Sequence, residues 1–193
     1  MSTFIYLASQ SPRRRELLDQ IGVAHRVLKV DLDESRRASE PADSYVQRLA
    51  REKAAAGWQY LLDHQLERAP VLGADTAVVI DGDILGKPVD AADAMRILQR
   101  LSGRSHEVMT GVAVHSAANT QIAMSCTRVW FRALERDEIE NYWLSGEPRD
   151  KAGAYGIQGL AAKFIERIEG SYSGVVGLPL FETSELLLRI EKN

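Results

Sequence analysis

Pro70-Val71-Leu72-Gly73-Ala74-Asp75-Thr76-Ala77-Val78-Val79-Ile80-Asp81-Gly82-Asp83-Ile84-Leu85-Gly86 decides how the rest of the chain is read. Its apolar, β-branched run predicts a buried strand with two polar residues in its middle. Asp81-Gly82 is a strong hairpin signal, and Ile84-Leu85 returns from it. Upstream, Phe4-Ile5-Tyr6-Leu7-Ala8 reads as another buried strand, broken by Ser9-Gln10-Ser11-Pro12. Pro12 suits the first turn of a helix and Ser11 its N-cap. Arg14, Leu17, Leu18 and Ile21 keep helical period, and Gly22 ends it. Val23 to Val30 reads as a strand and Asp31 to Pro41 as an acidic, polar loop. Ser44 opens a second helix, with Gln47 placed as in a capping box, running to about Leu62.

Downstream, Ala91 to Leu101 predicts a third helix. Val108 to His115 and Ile122 to Phe131 predict two long strands, and Arg136 to Ser145 a fourth helix. A short strand over Phe164 to Glu169 and a closing helix over Thr183 to Ile190 complete the order. Strands alternate with helices, so the class is α/β with a mixed sheet. There are no repeats, low-complexity tracts or clear linkers, so one domain over 1–193 is expected.

The chain has 193 residues and a formal charge of −3, so general nucleic-acid binding by bulk charge is not expected. No apolar run approaches the roughly 20 residues of a membrane span. Met1 to Ser11 carries no basic segment before an apolar run, so no signal peptide is expected. Cys126 is the single cysteine, which excludes an intrachain disulfide and fits a reducing cytoplasm. It is expected to be a small buried apolar residue.

Four constellations could carry chemistry. In Ser9-Gln10-Ser11-Pro12-Arg13-Arg14 a strand feeds a turn and a helix N-terminus, whose free N–H groups and dipole favour an anion. Two hydroxyls and three consecutive arginines add donors that match phosphate. Cations there oppose the dipole unless an anion lies between them; the plainer alternative is a capped helix with solvated arginines. Asp75, inside an apolar strand, is costly unless paired or liganded. With Asp31, Asp33 and Glu34 it could hold a divalent metal through carboxylate oxygens; a solvated acidic loop is the alternative. Lys53, among alanines on its helix, and Lys87, after the hairpin, could neutralise phosphate or be ordinary surface lysines. Finally, Lys151-Ala152-Gly153-Ala154-Tyr155-Gly156-Ile157-Gln158-Gly159 has three glycines suited to close backbone approach. Its Gln158 can pair with both donor and acceptor edges of a base. His106 reads as structural rather than catalytic. No Walker loop, nucleophile elbow or zinc-spaced set is present.

Five blocks occur in order: Leu7-Ala8-Ser9-Gln10-Ser11-Pro12-Arg13-Arg14, Arg51-Glu52-Lys53-Ala54, Leu72-Gly73-Ala74-Asp75-Thr76, Gly86-Lys87-Pro88, and Asp150 to Gly159. Together they resemble the Maf family of nucleoside triphosphate pyrophosphatases, essentially over the whole chain. The resemblance implies a twisted mixed sheet with flanking helices, in two lobes around a central cleft, similar to inosine triphosphate pyrophosphatases. It implies hydrolysis of a nucleoside triphosphate to the monophosphate and pyrophosphate with a divalent cation, Mg²⁺, Mn²⁺ or Co²⁺. By the same resemblance Asp75 is the proton acceptor, Lys53 and Lys87 are catalytic, and Ser9, Ser11, Arg13 and Arg14 bind phosphate. Glu34 and Asp75 would hold metal. Arg13, Thr76 and Gln158 resemble the specificity set of the subgroup acting on dTTP and UTP, with 5-methyl-UTP and pseudo-UTP as further substrates. A homodimer is expected. Gly86 stands where relatives commonly carry an acid. The alternatives are a nucleotide-binding regulator of division, which needs no base, and a phosphomonoesterase, which would release orthophosphate.

Overall fold

The computed structural model describes residues 4–191; Met1 to Thr3, part of the stretch read for a signal peptide, and the last two residues lie outside the described residues. The decisive stretch is one ten-residue strand, β3 (Val71–Ile80). Its hairpin turn forms as expected, with φ of +54° at Asp81 and +80° at Gly82, values that Gly and Asp tolerate best. β4 (Asp83–Leu85) returns antiparallel against Val78–Ile80.

The opening strand β1 (Ile5–Leu7) leads through the Ser-Pro turn into α1 (Pro12–Gln20). β2 is only His25–Val27, not Val23 to Val30, because its ladder partner β1 is itself three residues long. α2 spans Ala42–Asp63 and starts before Ser44, since Tyr45 N–H already donates to Pro41 O. The Ser44–Gln47 capping box does not form. Asp43 Oδ1 accepts from Ser44 N–H, and Gln47 Nε2 donates to Asp43 O. After α3 (Ala91–Leu101) come β5 (Ser105–His115) and β6 (Thr120–Phe131), each beginning earlier than expected because their ladder continues from Ser105↔Trp130 to His115↔Thr120. His106 and Thr110 are therefore inside a strand. α4 (Arg136–Leu144) carries a capping box of Glu135 and Glu138. β7 (Ile165–Glu169) precedes α5 (Tyr172–Val176), which sequence periodicity does not reveal. α6 (Leu180–Glu191) begins three residues before the expected Thr183.

The strands form one open seven-stranded mixed sheet in the order β2-β1-β3-β5-β6-β7, with β4 also on β3. β5 runs antiparallel along one edge of β3 from Val71 to Val79. The opposite edge is shared. β1 takes Val71 and Leu72 in parallel, and β4 takes Val78 to Ile80. Residues 73–77 have no strand partner on that edge, which leaves a notch in the sheet.

Period-two alternation sorts the core. Leu7, Leu72, Ala74 and Val78 join α1, α3, α4 and α6 in the largest cluster. The opposite face is covered by α2, whose Val46, Ala50 and Ala54 pack on Ala77, Val79 and Ala113. Two glycines let it settle. A Cβ on Gly73 would meet Ala54 N at 2.6 Å, and one on Gly111 would meet Val46 O at 2.6 Å. Cys126 is exposed, not buried: alternation along β6 turns Ser125 and Thr127 inward and Cys126 outward. Among the described residues no helix is long and apolar enough to cross a membrane.

Candidate active site

The notch in β3 opens into a cleft of about 940 Å³. Ser9, Ser11, Arg13, Arg14, Glu34, Lys53, Asp75, Thr76, Lys87 and Gln158 all line it. Residues scattered over 150 positions thus converge from six parts of the chain: the β1–α1 turn with the start of α1, the loop that carries Glu34, α2 with Lys53, the unpaired stretch of β3, the segment after β4 with Lys87, and the loop after α4.

On one face, the close approach of α2 at Gly73 sets Lys53 against Asp75. Lys53 Nζ lies 2.7 Å from Asp75 Oδ1 and 2.7 Å from Glu34 Oε1. Lys53 and Asp75 are both buried, so each offsets the desolvation of the other. Asp75 Oδ2 has no hydrogen-bond partner among the described residues. Glu34 hangs on a loop with no regular structure, and its backbone is gripped from α2. Tyr45 Oη donates to Glu34 O at 3.0 Å and Arg48 Nη2 to Ser35 O at 3.1 Å. Arg48 also forks onto Glu40 at 2.6 and 2.8 Å. Burial tends to raise the Glu34 pKa. The hydrogen bond and charge of Lys53, with the charges of Lys87 and Arg14, outweigh it and hold the carboxyl below its ordinary range. Burial and the charges of Asp75 and Glu34 push the Tyr45 phenol up to about 12. Asp31 and Asp33 do not join the cleft, and Asp33 instead caps Ser35 N–H.

On the other face, Arg14 is held by neutral oxygens. Its guanidinium donates to Ser9 Oγ at 2.9 Å, Gly177 O at 2.8 Å and Thr76 Oγ1 at 3.3 Å. Burial lowers its pKa, and the charge of Asp75 opposes the shift. Thr110 Oγ1 lies 2.8 Å from Gly174 O and 3.0 Å from Thr76 Oγ1. The carbonyl only accepts, so Thr110 donates to it and Thr76 donates to Thr110, which leaves Thr76 lone pairs for Arg14. Ser9 Oγ accepts from Arg14 and from Ser11 N–H, and keeps its own proton for a ligand oxygen. Arg13 reaches across the cleft to Asp150 at 3.2 Å. Arg14 and Lys87 have no carboxylate within ion-pair distance among the described residues. Such uncompensated cations suit a polyanion.

The glycine-rich loop forms the third wall. Gly153 sits at φ +69°, and a Cβ there would meet Val78 at 2.8 Å; its N–H donates to Gly86 O at 3.0 Å. Gln158 is exposed at the rim. Sequence reading missed Tyr45, Glu147 and the pairing role of Asp150, all of which line the same cleft. Acids next to the glycine-rich run were the available signal. His106 is structural: its Nε2 lies 2.8 Å from Tyr155 Oη, and burial lowers its pKa to about 4.

The donor set fits a small hard cation. Two carboxylates, Glu34 and Asp75, already converge on one positive centre at Lys53 Nζ. Mg²⁺ and its analogues take one or two carboxylates together with phosphate oxygens. Among the described residues no group of three or more acidic, His or Cys side chains gathers to hold a metal.

Comparison with known proteins identifies the family. The Maf-like protein family matches residues 4–190. The dTTP/UTP pyrophosphatase of Chromobacterium violaceum is 55% identical over 185 residues, covering 96% of this chain and 93% of the relative. That of Methylobacillus flagellatus is 57% identical over 185 residues, covering 96% and 92%. That of Aromatoleum aromaticum is 54% identical over 192 residues, covering 95% and 93%. With residues 4–190 matched by the family and relatives more than half identical over nearly its whole length, this chain belongs to the Maf family.

Proposed function

We propose that this protein is a nucleoside triphosphate pyrophosphatase that hydrolyses dTTP and UTP, with modified pyrimidine triphosphates such as 5-methyl-UTP and pseudo-UTP as further substrates. The observation that carries the reading is the cleft itself: a buried carboxylate held by Lys53 shares the cleft with a half-buried arginine whose hydrogen-bond partners are all neutral oxygens. The names of the relatives support the choice of substrate.

The triphosphate enters with its negative charge met by Arg13, Arg14, Lys53 and Lys87, and with Ser9 and Ser11 donating to its oxygens. A water oxygen attacks the α-phosphorus, the bond from that phosphorus to the α–β bridging oxygen breaks, and pyrophosphate leaves. Asp75 Oδ2 accepts the proton of the attacking water. A divalent cation, Mg²⁺, Mn²⁺ or Co²⁺, would be held by Glu34 and Asp75 and would supply charge neutralisation and Lewis acidity there. At the other end Gln158, Thr76 and Arg13 select the base. Neutral donors and acceptors discriminate strongly because a wrong base leaves them unpaired. The chain works as a single domain of two lobes, as a homodimer in the cytoplasm.

The test is a substrate panel with Mn²⁺, in which pyrophosphate and monophosphate are measured for each common and modified triphosphate. Pyrophosphate from UTP and dTTP, with purines and CTP idle, is the expected result. Preference for a purine or CTP would overturn the specificity. Orthophosphate would point to a phosphomonoesterase, and no turnover to a binding regulator.

A further inference from the structure

Gln158 carries no side-chain hydrogen bond among the described residues, so its place in the cleft is set by the backbone beneath it. That backbone is tied down by two side chains from the end of α4 and the turn after it. Glu147 Oε1 accepts from Tyr142 Oη at 2.7 Å, and Glu147 Oε2 accepts from Leu160 N–H at 2.9 Å. Tyr142 Oη in turn accepts from Gly156 N–H at 3.1 Å. Lys151 Nζ donates to Glu147 O at 2.7 Å. The loop is thus anchored at its start and on both sides of Gln158, two residues away in each direction. It also lies flat on the carboxylate, since a Cβ on Gly159 would overlap Glu147. Both Glu147 oxygens are occupied by protein donors, although the residue lines the cleft. They are committed to the loop and not to a ligand.

We infer that Glu147, acting with Tyr142, is a positioning residue for base selection: it fixes the backbone of residues 156–160 so that Gln158 meets the base edge of the substrate. This rests on the reading above that Gln158 helps select the base. A carboxylate does this better than a neutral acceptor, because charge-assisted hydrogen bonds are the stronger ones. The groups proposed for the chemistry, Asp75 and Lys53, have no hydrogen bond or ion pair to Glu147, so the chemical step should feel the change little.

The test compares kcat and KM for UTP and CTP in the wild type and in Glu147→Ala, Glu147→Gln, Tyr142→Phe, Gln158→Ala and the Glu147→Ala/Gln158→Ala double variant. Glu147→Ala should lower the UTP-over-CTP ratio of kcat/KM about tenfold, the value of one net hydrogen bond. The loss should fall mainly in KM for UTP. Glu147→Gln, which keeps an oxygen for Leu160 N–H, should recover most of it. In the Gln158→Ala background, Glu147→Ala should not change the ratio further. Tyr142→Phe removes two of the ties without changing volume and carries the test if Glu147→Ala does not fold. An unchanged ratio in both Glu147→Ala and Tyr142→Phe would overturn the inference. So would equal losses of kcat for both substrates, or an undiminished effect in the Gln158→Ala background. If Gln158→Ala alone leaves the ratio at the wild-type value, base reading by Gln158 fails and this inference falls with it. That pattern is distinct from failure of the Glu147 tie alone.

Discussion

Asp75 and Thr76 are consecutive residues of β3, yet their side chains leave opposite faces of the sheet. Asp75 meets Lys53 of α2, while Thr76 meets Arg14 and Thr110 on the far side. Both reach one cleft only because residues 73–77 have no strand beside them on that edge.

Removing the proposed base while keeping the shape isolates its role. Asp75→Asn should lower kcat about a hundredfold to ten-thousandfold, with KM little changed. Pyrophosphate release under saturating UTP measures it, and an unchanged circular dichroism spectrum excludes unfolding. Residual activity near the wild-type rate would remove Asp75 from the proton-transfer role.

Arg14 is bound by three oxygens in different directions, a pattern a lysine cannot reproduce. Arg14→Lys should therefore raise KM for UTP about tenfold to a hundredfold, the range of charge-assisted hydrogen bonds. Steady-state kinetics at constant ionic strength decide it.

Arg48 never enters the cleft, but it holds the loop from which Glu34 reaches Lys53. Arg48→Met should raise the Mn²⁺ concentration needed for half-maximal activity about tenfold, as loss of a ligand's outer support does. Glu34→Gln should move it the same way. The two changes together should do little more than Glu34→Gln alone, and full additivity would separate Arg48 from Glu34.

How much of this was legible in the sequence varies with the physics of each part. Asp75 stands out because a carboxylate inside an apolar strand demands a partner, and Asp81-Gly82 because few pairs accept two positive φ values. The start of α2 was misread: Ser44 is a good cap, but the first helical bond already runs to Pro41. Cys126 was assigned by hydrophobicity alone, which does not say which face of β6 it occupies. α5, at five residues, is too short to show a helical period. Glu147 offers only the weak signal of an acid near the glycine-rich run, because its side-chain partners are a backbone N–H and a phenol, neither of which leaves a charge pattern in sequence.

His106 provides a pH signature unconnected with catalysis. Its folded pKa is lowered from 6.5 to about 4 by burial, with Tyr155 and Phe131 around it. Below pH 6.5 the unfolded chain binds a proton that the folded chain refuses until about pH 4. The unfolded state thus holds more protons in that window, and stability falls as pH drops through it. Urea midpoints taken from about pH 7 to about pH 4 should fall more steeply for the wild type than for His106→Gln. Parallel profiles would contradict the shift.

Gly73 is where α2 touches the sheet, and the atoms a Cβ would strike are backbone. Gly73→Ala should cost about 1–3 kcal/mol through forced separation of helix and strand. It should also lower kcat, because Lys53 rides on that helix. Equilibrium unfolding read beside activity checks both.

The gap along β3 makes that strand a partition between two workshops. On the proposed reading, substitutions in α2 would alter how water is activated without disturbing the packing that holds Arg14 and Thr76. Changes in the glycine-rich loop would shift the preferred base without touching Lys53 and Asp75. A chain built this way can acquire a new diet through a few exchanges on one side, keeping its hydrolytic chemistry intact on the other.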